Sequence, residues 1–468
     1  MFSINPLFPD QVMGGAPKHL QNIATHLGHL GHQVTVLCTQ RADTSEPFKW
    51  GPNVDVLPVL RFKQPFPQPY AAPAYDLAAA FQDVAEHLAH ADRFYMHDGE
   101  LLFPPVFRHV PTVVSLRDNV YPETILGSFL FQGDTLIAIS EYSRQLYLST
   151  AGRFFPELDE RMRVIPNGID WEHFKPTAPT GVLDYLSVNP ERDVIVLHPH
   201  RPEPSKGLEQ TVEVADRLVH QYGMNALKVL VPRWLDTVFS ADLRAYYEGI
   251  QQRINERGLQ DHFIFHEWLP QELMPQYYSL GAITLALGHF VEAFGNAVYE
   301  SLGCGTPAIT ARVATHRELL PDDLLNKVHF GDVNEAAYQA SEIIREGRRT
   351  GPATLEYLHA HYGVKRQLTA YAETILNART HPELQYRFNP IGPETCFRLA
   401  PWCYEWEGGF FHDFNATHVP ITPLSTLLNK HPAGFSYADA QAAGVSLTQV
   451  NVWYRDGYLI PMQSETLE

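Results

Sequence analysis

Short apolar runs alternate with longer stretches whose apolar positions recur at helical spacing through the first part of the chain. Phe2-Ser3-Ile4 reads as a strand, followed by a loop with Pro6, Pro9, Gly14 and Gly15 and a helical pattern over residues 17–30. Further strands are predicted at 32–37, 54–57, 93–96, 112–116, 135–139 and 163–165, with helical patterns between several of them. Such β–α alternation predicts a doubly wound parallel sheet.

Over residues 171–193 the pattern weakens, punctuated by Pro176, Pro179, Gly181 and Pro190, which marks a linker. The alternation then restarts. Strands are predicted at 194–197, 228–231, 262–265, 282–285 and 307–310, and helices at 209–221, 243–257 and 296–302. The last of these is closed by Gly303 and Gly305. The expectation is an α/β protein with two Rossmann-like doubly wound domains facing across a cleft, with ligand bound outside the carboxyl ends of the strands. A final core helix is predicted over 363–378. Residues 388–422 are rich in aromatics, including Trp402, Tyr404, Trp406, Phe410 and Phe411. Three short helices (422–431, 436–443, 446–456) and Tyr458-Leu459-Ile460 then suggest a small, mainly helical, winged-helix-like appendage. The expected division is 1–174, 175–384 (its last helix crossing back to the first domain) and 385–468.

At 468 residues the chain exceeds what one core usually supports, in line with several domains. A formal charge of −18 disfavours generic nucleic-acid binding, because an acidic surface repels phosphate backbones at long range. In the appendage Lys430 and Arg455 face Asp439, Asp456, Glu465 and Glu468, which again speaks against DNA. Docking of a protein or an acceptor is the preferred use, with a plain packing role as the alternative. Four cysteines in so long a chain do not look like a disulfide framework. The first residues lack a basic, apolar leader pattern, and no apolar run approaches the ~20 residues of a membrane span. The expectation is a cytoplasmic protein, with peripheral membrane contact left open.

The chemistry concentrates in two loops and one turn. In the segment from His289 to Pro307, Glu292 falls in a loop and Glu300 on the following helix, whose N-cap is Asn296 or a neighbour. A helix start offers free N–H groups to a phosphate, and the two carboxylates would accept hydrogen bonds from sugar or ribose hydroxyls. The bland alternative is a pair of solvated glutamates. In His200-Arg201-Pro202-Glu203-Pro204-Ser205-Lys206-Gly207, Arg201 offers a planar fork and Lys206 a compact charge, suited to a diphosphate leaving group. The alternative is a surface turn with two solvated cations. Gly14 and Gly15 would let the backbone approach a phosphate, or simply form a tight turn.

The stretch E-A-F-G-N-A-V-Y-E from Glu292 to Glu300, followed by G-C-G-T-P, resembles the E-x7-E signature of retaining glycosyltransferases of the GT-B fold, most closely family 4 (glycosyl transferases group 1). The 200–207 loop resembles that family's G-R-L…K-G loop, without the usual glycine beside Arg201. Further matches are Met13-Gly14-Gly15, Ile139 to Ser143, Val164 to Asp170 and His316-Arg317-Glu318-Leu319. The resemblance spans roughly residues 1–380. It implies transfer of a sugar, with retention, from a nucleotide-diphosphate sugar. It implies neither metal nor cofactor, and the acceptor stays open among a small molecule, a glycan, a lipid-linked group or a peptide. It assigns catalytic roles to Glu292, Arg201, Lys206 and Asp118. Donor contacts fall to Gly14, Gly15, Phe294, Gly295, Asn296, Glu300, Trp268 and Leu269. One departure is Arg117, which stands before Asp118 where the family often has histidine, and which cannot act as a base. Arg117, His97 and Asp98 are acceptor-side candidates; a pairing of Arg117 with Asp118 or another local acid is the alternative. An epimerase or phosphorylase on the same fold, or a non-catalytic sugar-nucleotide sensor, are the competing functions.

Overall fold

The protein is described from a computed structural model covering residues 1–9, 15–62, 72–98, 103–233 and 241–462. It divides into two compact units: Met1–Pro166 with Lys365–Phe410 and Val419–Glu468, and Asn167–Val364 with Phe411–His418.

In the first unit the strands Phe94–His97, Thr112–Leu116, Thr135–Ala138 and Met162–Val164 pair in parallel in that order. Val34–Thr39 pairs in parallel with Val54–Leu60, and Phe48–Gly51 adds an antiparallel edge. The expected first strand shrinks to a bridge at Phe2, which pairs with both Leu37 and Met96 and joins the two sets. Backbone hydrogen bonds from Phe2 to Tyr95 and from Ser3 to Leu37 (both 3.0 Å) complete it. In the helix Gly15–His29, Leu20, Ile23, Ala24 and Leu27 share one buried face, as a helical apolar stripe requires. The helix Val364–Leu376 adds Tyr371, Ala372 and Ile375 to the same core.

The second unit holds a six-stranded, all-parallel sheet. Its order is Phe263–His266, Leu227–Pro232, Val194–Leu197, Ile283–Ala286, Ala308–Ala311, Asn326–Val328. Ile283–Ala286 is buried throughout, and such unbroken apolar runs are typical of strands covered on both faces. The chain winds outward from Val194–Leu197 in one direction and from Ile283–Ala286 in the other. The sheet therefore has a topological switch point between these two neighbours, and the loops leaving their carboxyl ends lie side by side. Those loops carry Lys206 and Glu292.

The appended region has more strand than its aromatic-rich sequence suggested. Cys396–Leu399 lies between Phe435–Ser436 and Leu459–Pro461 in an antiparallel sheet, beside the helices Thr422–Lys430, Tyr437–Ala442 and Leu447–Arg455. A capping box between Ser436 and Asp439 starts the second of these helices. Cys403–Trp406, Gly409–His412 and Thr417–Pro420 form another three-stranded sheet. Among the described residues, no helix is long and apolar enough to cross a membrane.

Candidate active site

Two glycines bring the loops of the second unit together. Gly207 adopts φ +81°, and a Cβ there would meet the carbonyl carbon of Leu287 at 2.6 Å and Cα of Gly288 at 2.7 Å. A Cβ on Gly288 would meet the Lys206 carbonyl carbon at 2.5 Å. Only glycine allows two backbones so close. The amides of His289 and Phe290 both donate to the Ser205 carbonyl (2.9 and 3.0 Å), locking the register.

That register sets Lys206 Nζ 2.7 Å from Glu292 Oε1 and 3.5 Å from the centre of the Phe290 ring. Burial would raise the Glu292 carboxyl, but Lys206, by its charge and its hydrogen bond, and Arg201 hold it below the usual carboxylate range, as nearby positive charge does. Arg201 therefore lies within electrostatic reach of Glu292, while its own Nε sits 2.9 Å from Glu203 Oε1 in a more exposed pair.

The next helix is Asn296–Gly303, and its N-cap is Gly295, the neighbour of Asn296, at φ +85°. The His316 ring lies where a Cβ on residue 295 would be, its Cε1 at 2.5 Å, so only glycine fits there. Asn296 instead accepts a hydrogen bond from the Asn167 amide at 3.0 Å. Glu300 accepts from the Tyr278 hydroxyl at 3.1 Å. Phe294 is a core residue, packed against Tyr299 and Tyr362. Leu269 is buried and Trp268 is exposed.

Sequence reasoning missed the histidines around this centre. Burial, with Lys206 adding to it, lowers His316 to about 4, against the pull of Glu292. Its Nδ1 is 3.1 Å from the Tyr299 hydroxyl. Burial also lowers His200, which stands where the family's glycine is absent, to about 3. His198 Nδ1 is 3.0 Å from the Thr211 hydroxyl. His200 and His316 stood in matched segments and His198 ends the run of a central strand, but nothing in the sequence marked them as buried against the pair.

The remaining candidates belong to the first unit. Gly14 lies outside the described residues, and Gly15 is the exposed first residue of its helix. His97 is the last residue of its strand; its Nε2 is 3.0 Å from the Ala16 carbonyl and its Nδ1 2.9 Å from the Tyr95 hydroxyl. The carbonyl can only accept, so Nε2 carries the proton and Tyr95 donates to Nδ1. Asp98 is left-handed at φ +63°, and burial raises its carboxyl to about 7, against the pull of Arg117. Arg117 Nη1 lies 3.3 Å from His19 Nε2 and 3.4 Å from the Tyr371 hydroxyl, which is also 3.0 Å from Ser115 Oγ. Asp118 accepts from the amides of Val120 and Tyr121 (2.8 and 2.7 Å) and from Thr124 Oγ1 (2.6 Å), shaping the turn into the helix Pro122–Phe129. Among the described residues, no group of three or more His, Cys, Asp or Glu is placed to hold a metal.

Parallel Rossmann-like sheets, with an acid–base pair at the switch point of the second, define a GT-B enzyme. The model of the family described as Glycosyltransferase Family 4 matches residues 13–173, and that of Glycosyl transferases group 1 matches 187–345. The chain belongs to this family and is a glycosyltransferase. It is similar to a putative glycosyltransferase, YtcC, of Bacillus subtilis, at 19% identity over 57% of this chain and 68% of that protein. It is 28% identical to a D-inositol 3-phosphate glycosyltransferase of Acidothermus cellulolyticus, over 33% of this chain and 34% of that one. Among solved structures, Anabaena HepE in complex with UDP and glucose superposes with a TM-score of 0.62 at 19% identity, covering 80% of this chain and 98% of that chain. Sucrose-phosphate synthase from Thermosynechococcus elongatus gives 0.61 at 17% identity, covering 80% and 97%. At such identities the likeness establishes the fold.

Proposed function

We propose that this chain transfers a sugar, with retention and without a metal, from a nucleotide-diphosphate sugar to an acceptor that the site chemistry does not name. One observation carries the reading: the Lys206–Glu292 pair at the switch point, next to the left-handed start of the helix Asn296–Gly303. A diphosphate there would draw Lys206 and Arg201 and meet the amides of the helix start. Glu292, released from Lys206, would take hydrogen bonds from sugar hydroxyls. Binding of UDP and glucose by HepE supports a donor of this class.

In the reaction, the acceptor hydroxyl oxygen forms the new bond to the anomeric carbon. The bond from that carbon to the phosphate oxygen breaks. The acceptor proton passes to that phosphate oxygen on the same face of the sugar. The protein's tasks are positioning and stabilisation of the developing charge. Arg117, His97 and Asp98 stand as acceptor-side groups, and Asp118 as the residue that shapes the turn after Arg117. The four free thiols support a reducing, cytoplasmic setting.

A thermal-shift screen across UDP-, GDP-, ADP- and TDP-sugars identifies the donor, since a ligand bound only by the native state raises its stability. With that donor, Arg201→Ala and Lys206→Ala are expected to cut turnover by orders of magnitude while the fold survives. Near-normal transfer by the double variant would overturn the assignment.

A further inference from the structure

The turn that carries His316 is held by more than its own backbone. Ala314 adopts φ +48°, a strained conformation for a residue with a Cβ. Such strain persists only where the surroundings over-determine it. Lys327, its side chain buried, donates to the carbonyls of Arg317 (3.0 Å) and Leu320 (2.6 Å) and pairs with Asp322 at 2.8 Å. The Tyr362 hydroxyl donates to the Leu319 carbonyl at 2.6 Å. The Arg317 side chain reaches the other way, to Asp413 at 2.6 Å.

Asp413 is completely buried and comes from Phe411–His418, past residue 345, where the matched family region ends. This segment belongs to the second unit, and its Phe411 ring lies 5.9 Å from that of Phe330. A buried carboxylate cannot fall back on water, so it fixes the guanidinium far more firmly than a surface partner would.

We propose that Asp413 is a positioning residue for the donor site: by holding Arg317 it fixes the strained turn that sets His316 against Gly295, and with it the start of the helix beside Glu292. This rests on the donor reading above. Asp413 does not touch the donor; it acts through Arg317 and His316.

The test compares wild type, Asp413→Asn, Lys206→Ala and the double variant Arg317→Met/Asp413→Leu. Affinity is measured by calorimetry for whichever of UDP, GDP, ADP or TDP the wild type binds. The His316 ring is titrated by NMR without ligand. Asp413→Asn is expected to weaken the nucleotide about tenfold or more, the scale of a small misplacement at a site. Its His316 titration should rise from about 4 toward the ordinary histidine value. The double variant, free of an unpaired buried charge, should recover melting temperature without recovering affinity, and carries the test if Asp413→Asn does not fold. Wild-type affinity and titration in Asp413→Asn would overturn the proposal, as would recovery of affinity in the double variant. If Lys206→Ala binds like wild type, or no nucleotide binds the wild type, the donor reading fails and takes this inference with it. Loss in Lys206→Ala alone removes only the role of Asp413.

Discussion

Adding one methyl group at Gly288 tests the loop arrangement on which the site depends. The new Cβ would lie 2.5 Å from the Lys206 carbonyl carbon and 2.8 Å from its Cα, with the Ser205 carbonyl oxygen also in its way. All of these are backbone atoms, so no side chain can swing aside. An ordinary contact begins at 3.4 Å, so the loops must part by roughly 1 Å. Overpacking of this kind costs about 1–3 kcal/mol. The same movement stretches the hydrogen bonds from His289 and Phe290 to Ser205, each worth about 1 kcal/mol net. The sum is about 3–5 kcal/mol, or roughly 6–20 °C in the melting of a unit of some 200 residues. The chemistry should suffer more, because Lys206 and Glu292 sit on the two parted loops, and a 1 Å misplacement lowers rates by about a hundredfold. Differential scanning calorimetry and steady-state transfer with the donor found by thermal shift measure both effects. A Gly288→Ala protein with unchanged melting and unchanged kcat/KM would show that the close approach of the loops does not set the site.

Further outcomes follow from the same geometry. Gly295→Ala puts a Cβ into the His316 ring at a left-handed position, which costs about 1–2 kcal/mol before any clash; donor KM should rise, and an unchanged KM counts against the helix start as a binding element. Lys327→Met removes the donor to two carbonyls and should lower urea stability by about 2–3 kcal/mol, an effect absent if the lysine is mere surface charge. Burial holds His19, His97, His198, His200 and His316 below the ordinary histidine value. For a group whose folded value is depressed, stability is full above the unfolded value of 6.5 and falls as pH drops below it. The loss is about 1.4 kcal/mol per pH unit for each histidine until its folded value is reached. Asp98, raised by burial, acts in the opposite sense but is one group against five. Urea midpoints should therefore be lower at pH 5.5 than at pH 7.5, and equal midpoints would contradict the buried, neutral histidines.

The periodic elements and most of the candidate chemistry can be read from the order of residues alone. Val194–Leu197 and Thr112–Leu116 stand where their apolar runs end, because strands buried on both faces leave an unmistakable hydrophobic run. The glutamates, cations and glycines of the proposed donor loops could be singled out because few residue types suit a phosphate. Weaker patterns were not. Asn326–Val328 and the strands after Cys396 are short, and short strands owe their existence to neighbours rather than to propensity. How the candidate site is assembled comes from the folded chain. It set Lys206 on Glu292 across 86 residues of chain and packed the His316 ring where a Cβ on Gly295 would be. It also buried Asp413 against Arg317, from a stretch whose aromatic-rich sequence reads as an appendage. Local sequence encodes period and chemical type, but which side chains meet depends on the order in which strands enter the sheet, a property of the whole fold.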